Sequence, residues 1–203
     1  MLTAAAAVDR GQTTAVWADG HQLQQIEGTT IHWEPHAPDV VRSLSPVTHL
    51  DARLDGLWTD RRVVEPACEV LDVADVTALR SALNLKTAGV GSEYRWHQDA
   101  IAPPSVNVVV FLDEARPDNG PLCLLPGSHL TGRLPIDPTD PIGQHPDPSL
   151  IDSSDEEVIT AEAGSVLAFS TLLVHRSSAN HSRHDRRALR SCFQATGEPK
   201  PLR

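Results

Sequence analysis

Lysine is almost missing from this chain: Lys86 and Lys200 are its only two, and every other basic side chain is arginine. Seventeen Lys and Arg face 27 Asp and Glu, giving a formal net charge of −10. Such a balance argues against nucleic-acid binding, where contacts to phosphate supply much of the affinity. The one basic cluster lies between Arg183 and Arg190. Cysteine is scarce as well. Cys68, Cys123 and Cys192 are odd in number and show no CxxC spacing, so they read as free or buried thiols of a reducing compartment, not as disulfides or a zinc site. No apolar run approaches the roughly 20 residues of a membrane span, and the start of the chain lacks the basic region of a signal peptide. The expectation is a cytoplasmic protein of 203 residues, long enough for one domain (1–203) with a sizeable core.

Residues 1–12 are small and polar and read as a frayed terminus. Thr13 to Trp17, Asp19-Gly20 and Gln22 to Trp33 read as strand, turn and strand, closed by Pro35 and Pro38. Ser45-Pro46 looks like a helix start, giving helices over 46–57 and 60–71 with Thr59 as the second N-cap. From residue 75 the texture turns to short β-rich runs: 76–86, 94–99, 105–112, 121–125, 157–161, 165–169, 172–175 and 187–195. Eight short strands with helices confined to the N-terminal third predict a mainly β fold, a double-sheet jelly roll of the cupin-like double-stranded β-helix kind. The Pro/Asp/Gly-rich stretch 127–155 has no periodicity and is expected to close over the mouth of the barrel.

Within Tyr94-Arg95-Trp96-His97-Gln98-Asp99, His97 and Asp99 are two residues apart. On an extended chain both point to one face and Gln98 to the other. An imidazole and a carboxylate side by side form two-thirds of a 2-His-1-carboxylate triad, which holds Fe(II) and leaves positions open. The third ligand should come from a distant strand, and His175, at the end of the apolar run 166–174, is the best candidate. Among ten histidines, a His-X-Asp is also what a solvated strand end can show by chance.

Two further segments bear on the choice. Asn119-Gly120-Pro121-Leu122-Cys123-Leu124-Leu125-Pro126-Gly127-Ser128-His129 is a turn, a buried strand and a turn, with His129 read as structural. His175-Arg176-Ser177-Ser178-Ala179-Asn180 leads to Arg186 and Arg187. After His-X-Asp, this ordered set resembles the phytanoyl-CoA dioxygenase-like Fe(II)/2-oxoglutarate oxygenases, over about residues 45 to 195.

The resemblance implies that His97, Asp99 and His175 bind Fe(II). It implies that Arg186, eleven residues after His175, anchors the far carboxylate of 2-oxoglutarate with Ser177 beside it. A planar, always-charged guanidinium suits a carboxylate. Arg187 is the alternative, since successive residues of a strand face opposite ways. Lys86, in Leu83-Asn84-Leu85-Lys86 before Gly89, and Gln98 are further candidates for contact with the co-substrate. By the same resemblance, O2 and 2-oxoglutarate would be converted with release of succinate and CO2. A small-molecule substrate, such as an amino acid or natural-product intermediate, would be hydroxylated, with desaturation, epoxidation or cyclisation open to the same residues. Arg80, Leu83, Tyr94, Trp96 and parts of 130–155 are the positions expected to shape the substrate pocket. A homodimer is an admissible assembly. Relatives usually carry an extra helix and strand before the region resembling 13–33, so an element is absent, truncated or supplied by a partner. Two rival readings remain open: a non-catalytic metal- or ligand-binding member of the fold, and a cupin-like metal enzyme that does not use 2-oxoglutarate.

Overall fold

A computed structural model describes residues 13–16, 22–99, 105–140 and 144–197. The frayed terminus and the Asp19-Gly20 turn expected from the sequence lie outside these residues. β1 (Thr13–Val16) pairs with β2 (Gln22–Ile26), which forms a hairpin with β3 (Thr29–Glu34). The sequence suggested one strand from 22 to 33, but Glu27 and Gly28 take φ of 46° and 84° and fold it in two. Two central residues with positive φ match the twist of a two-residue hairpin.

β4 (Ala37–Ser45) was not anticipated, because Pro38 looked like a stop. The register between β3 and β4 shifts between Trp33 and Glu34, so no backbone partner is matched to Pro38. A missing N–H is tolerated at such an irregularity. Pro46 follows a cis peptide bond and does not open a helix. α1 (Ala52–Leu57) starts at Asp51, whose side chain accepts from the Arg53 N–H at 2.8 Å. α2 (Arg61–Leu71) starts at Asp60, which accepts from the Arg62 N–H at 3.0 Å. Asp60 therefore takes the capping role expected of Thr59, whose hydroxyl donates back to the Gly56 carbonyl.

The remaining strands are β5 (Val76–Lys86), β6 (Tyr94–His97), β7 (Val106–Phe111), β8 (Leu122–Leu124), β9 (Glu157–Val158), β10 (Val166–Ser170), β11 (His175–Ser177) and β12 (Arg186–Ala195). They build two antiparallel sheets, ordered β1-β2-β3-β4-β5-β12-β7-β10 and β6-β11-β8-β9, which give the mainly β jelly roll that the sequence predicted. β7 is buried throughout, and its alternation assigns the two faces. Val106, Val108 and Val110 join Leu189, Phe193, Val63, Ala67 and Trp58 in a core between the large sheet and the helices. Val109 and Phe111 point the other way, to Leu124, Phe169, Leu173 and Ala188 between the sheets. Each fully buried apolar side chain stabilises by about 1.5–3 kcal/mol, so both layers are held by their own apolar set.

One expected strand is displaced. Residues 171–174 form a turn, and β11 begins only at His175. The buried Thr171 fixes that turn: its N–H and hydroxyl both donate to the Ser105 carbonyl, and its own carbonyl accepts from the Asp99 N–H at 3.0 Å.

Candidate metal and carboxylate site

β6 and β11 lie side by side with His97 and His175 in register. Asp99 sits two residues beyond His97, tied by its N–H to Thr171 on the turn that leads into His175. These three residues converge: one ligand atom from each lies within 4.8 Å of the others. The His175 Nε2 is 3.7 Å from the Asp99 Oδ2, and the two imidazole centroids are 4.1 Å apart.

Both rings are oriented by the same device. The His97 Nδ1 meets the Arg95 carbonyl at 2.8 Å, and the His175 Nδ1 meets the Leu173 carbonyl at 2.8 Å. A carbonyl only accepts, so each Nδ1 carries the proton and each Nε2 offers a lone pair to the shared centre. Burial, with His175 close by, pushes His97 down to about 3, and burial also lowers His175. Both rings are therefore neutral at neutral pH, the form in which imidazole binds a metal. Burial works against the Asp99 charge, but Arg190 and the two neighbouring histidines hold its carboxyl below the ordinary value.

Two residues around Asp99 were not anticipated. The Asn107 Nδ2 donates to Asp99 Oδ2 at 2.5 Å, and the Arg190 Nη1 donates to Asp99 Oδ1 at 3.3 Å and to Asn107 Oδ1 at 3.1 Å. Both left a trace in the sequence. Asn107 is polar inside a valine-rich strand, two before Val109, and Arg190 is four after Arg186, hence on the same strand face. Partners of this kind typically tune metal affinity by about 10–100-fold. Asn107→Ala is accordingly expected to weaken Fe(II) binding by about that factor in an anaerobic titration. An unchanged Kd would count against the role.

A cavity of about 440 Å³ opens beside the triad, with His97, His175, Ser177, Tyr94, Arg186 and Arg190 in its lining. Arg186 is almost fully buried, and its Nε has no hydrogen-bond partner among the described residues. Burial lowers its guanidinium to about 10, which leaves it charged at neutral pH. A buried cation with an unsatisfied donor is costly unless an anion meets it. Arg187 faces the other way and forms a two-pronged pair with Asp113, at 2.7 Å for Nε to Oδ2 and 2.7 Å for Nη2 to Oδ1.

The structure gives Lys86 and Gln98 other work. Lys86 pairs in register with Arg186, but its ammonium donates to the Ser92 carbonyl and lies 4.8 Å from the Tyr94 ring centroid, outside the cavity lining. Burial, then the nearby Arg186 and Arg42, push its pKa well down. The Gln98 amide donates to Gly132 and Leu172 carbonyls at 2.9 and 2.6 Å and accepts from the Leu134 N–H at 2.8 Å. It staples the start of the long 127–155 loop to the turn before His175. Further along that loop, Gln144 and His145 reach the cavity, and Arg80 and Tyr94 line it as expected. Leu83 belongs to the helix-side core, and Trp96 lies under Arg176, 5.2 Å from ring centroid to guanidinium carbon.

The donor set suits Fe(II), with two neutral imidazoles, one carboxylate and adjoining open space, and the unpaired Arg186 suits a distant carboxylate. Comparison with known proteins agrees with that chemistry. The phytanoyl-CoA dioxygenase (PhyH) family model matches residues 7–188. L-proline trans-4-hydroxylase of Streptomyces griseoviridis is 29% identical over 131 residues, covering 49% of this chain and 47% of that protein. Ectoine dioxygenase of Bordetella parapertussis is 30% identical over 167 residues, covering 71% of this chain and 54% of that protein. The crystal structure of EctD from S. alaskensis with bound Fe superposes with a TM-score of 0.71 at 25% identity, over 98% of this chain and 66% of that one. The chain thus spans about half the length of the curated relatives it matches. No described helix is long and apolar enough to cross a membrane.

Proposed function

This chain belongs to the phytanoyl-CoA dioxygenase family, and from that premise we propose that it is an Fe(II)- and 2-oxoglutarate-dependent oxygenase of a small organic molecule. His97, Asp99 and His175 would hold the iron, and Arg186 with Ser177 would hold the far carboxylate of 2-oxoglutarate. The observation that carries this reading is the buried, unpaired Nε of Arg186 in the same cavity as two converging imidazoles. Iron and co-substrate, when bound, supply O2 activation coupled to loss of CO2 and formation of succinate.

The chain's own residues supply binding and orientation. The Arg95 and Leu173 carbonyls fix which imidazole nitrogen faces the centre, and Asn107 and Arg190 hold the Asp99 carboxylate in place. Phe169, edge-on to His175 at 5.0 Å, keeps an apolar wall behind the ligand. A dry wall strengthens every charge interaction inside the site. The names of the relatives, hydroxylases and dioxygenases of proline and ectoine, support hydroxylation of an amino acid or a natural-product intermediate of similar size.

Anaerobic titration of the protein with Fe(II) and then 2-oxoglutarate tests the reading. The expected result is a visible charge-transfer band that needs both additions, followed by succinate formation when O2 is admitted. Tight iron binding without the band would instead favour the cupin-like enzyme that does not use 2-oxoglutarate. A band with no succinate, under any candidate substrate, would favour the non-catalytic member of the fold.

A further inference from the structure

Six arginines line the cavity: Arg42, Arg80, Arg95, Arg176, Arg186 and Arg190, against one lining carboxylate, Glu93. Three of the six have a carboxylate partner, Arg42 in Glu34, Arg95 in Asp140 and Arg176 in Glu156. Arg186 has its own role at the far carboxylate of 2-oxoglutarate. Two remain. Arg80 donates its Nε to the Ser45 hydroxyl at 3.1 Å and has no carboxylate partner among the described residues. Arg190 meets Asp99 through Nη1 alone, and its bonds to Asn107 and Cys192 leave from that same nitrogen.

The sheet brings these two together. Ala82 on β5 pairs with Arg190 on β12, and Arg80, two residues from Ala82, lies on the same face. The two arginines are diagonal neighbours across adjacent strands, close enough for long side chains to share one group. Arg186 is four residues from Arg190, about 13 Å along the strand at about 3.3 Å per residue. Arg190 touches a candidate iron ligand, whereas no hydrogen bond or ion pair among the described residues links Arg186 to any of the three. A five-carbon diacid chelating at one end therefore suits Arg186 at its other end. Arg190 stands in the cavity wall in contact with the candidate ligand Asp99.

We propose that Arg190 and Arg80 form a second anion subsite that receives an oxyanion group of the substrate, carried close to the carbon that is oxidised. The inference rests on the oxygenase reading and narrows it to small carboxylates, phosphonates or related oxyanions. Arg190 would present the free part of its fork beside the candidate ligand Asp99, and Arg80, exposed in the cavity lining, would close on the anion from the solvent side.

The test is anaerobic calorimetry on the Fe(II)-loaded protein saturated with 2-oxoglutarate, using methylphosphonate and acetate as parallel probes. Neither probe has a side chain for other contacts, so the comparison also tells phosphonate from carboxylate. Binding of one or both is expected, weakened about tenfold or more in Arg80→Gln and in Arg190→Gln, as loss of a charge-assisted contact implies. Arg190→Gln also touches Asp99, so Arg80→Gln is the decisive variant. Absence of binding of either probe to the wild type, or binding unchanged in Arg80→Gln as for an anion on the metal alone, overturns the subsite. Failure of 2-oxoglutarate itself to bind shows at the first step and sinks the oxygenase reading instead. The probes then go into Arg186→Gln protein, where dependence on Arg80 still decides the subsite.

Discussion

Arg186→Gln is expected to weaken 2-oxoglutarate binding by about 30- to 1,000-fold while leaving Fe(II) affinity close to that of the wild type. The range follows from the about 2–4 kcal/mol that truncating one partner of a buried charge-assisted pair removes, at tenfold per 1.4 kcal/mol. Glutamine keeps a donor and most of the volume, so the change isolates the charge and the fork. The buried side chain also loses a desolvation penalty, since a neutral amide is easier to bury than a cation without a partner. The metal-free variant should therefore be no less stable than the wild type, even though it binds the co-substrate far more weakly. Arg187→Gln is the control. Its pair with Asp113 is one-third exposed on the arginine side, and pairs of that kind contribute about 0–1 kcal/mol. Titration of 2-oxoglutarate by the intensity of the visible band reads both variants. Equal weakening in the two, or none in Arg186→Gln, would refute the carboxylate-anchor role.

The contrast between Arg186 and Arg187 marks how far the sequence could be read. Period two says that neighbours on β12 face opposite ways, but not which one faces in. The choice is made by Asp113, on the connection after β7, which holds Arg187 with two side-chain bonds and accepts from its N–H as well. That partner is 74 residues away in the chain, and nothing local to Arg187 announces it. The same holds for the triad. His97 and Asp99 were legible as a pair, because their relation is set by two residues of extended backbone. Joining His175 to them depends on the β6–β11 register and on Thr171 anchoring the preceding turn, and the apolar run 166–174 gave no sign of that turn.

Lys86 shows the opposite case. Its sequence neighbourhood pointed to the co-substrate and its backbone register places it opposite Arg186. Positive charges on neighbouring strands of one face repel, and a compact ammonium is satisfied by a carbonyl and an aromatic face away from the cavity. The Ser92 carbonyl and the Tyr94 ring supply both. β4 escaped notice for a simpler reason: a proline in a strand counts against it only where the ladder needs that N–H, and whether it does depends on the partner strand.

Asp99→Ala is expected to abolish Fe(II) binding, because it would remove a proposed ligand where even supporting residues affect affinity by about 10–100-fold. It should also destabilise the metal-free protein. Asp99 carries negative charge in a cluster that otherwise holds two neutral imidazoles and the Arg190 cation, and Arg190 has no other carboxylate partner among the described residues. Breaking a fully buried pair costs about 3–5 kcal/mol. Here the two side chains keep 25% and 14% of their exposure, so about 1–3 kcal/mol is the fitting scale. Asp99→Asn separates the two effects. It preserves shape and an acceptor for Arg190 and so should recover part of the stability, but a neutral amide is a poor ligand for Fe(II) and the iron should stay weakly bound. Thermal melts of the metal-free proteins beside anaerobic iron titrations give both readings. If Asp99→Ala held iron as tightly as the wild type, the ion would be seated elsewhere and the carboxylate would serve only Arg190. If both variants lost iron yet melted with the wild type, Asp99 would be a ligand whose pairing with Arg190 adds nothing to the fold.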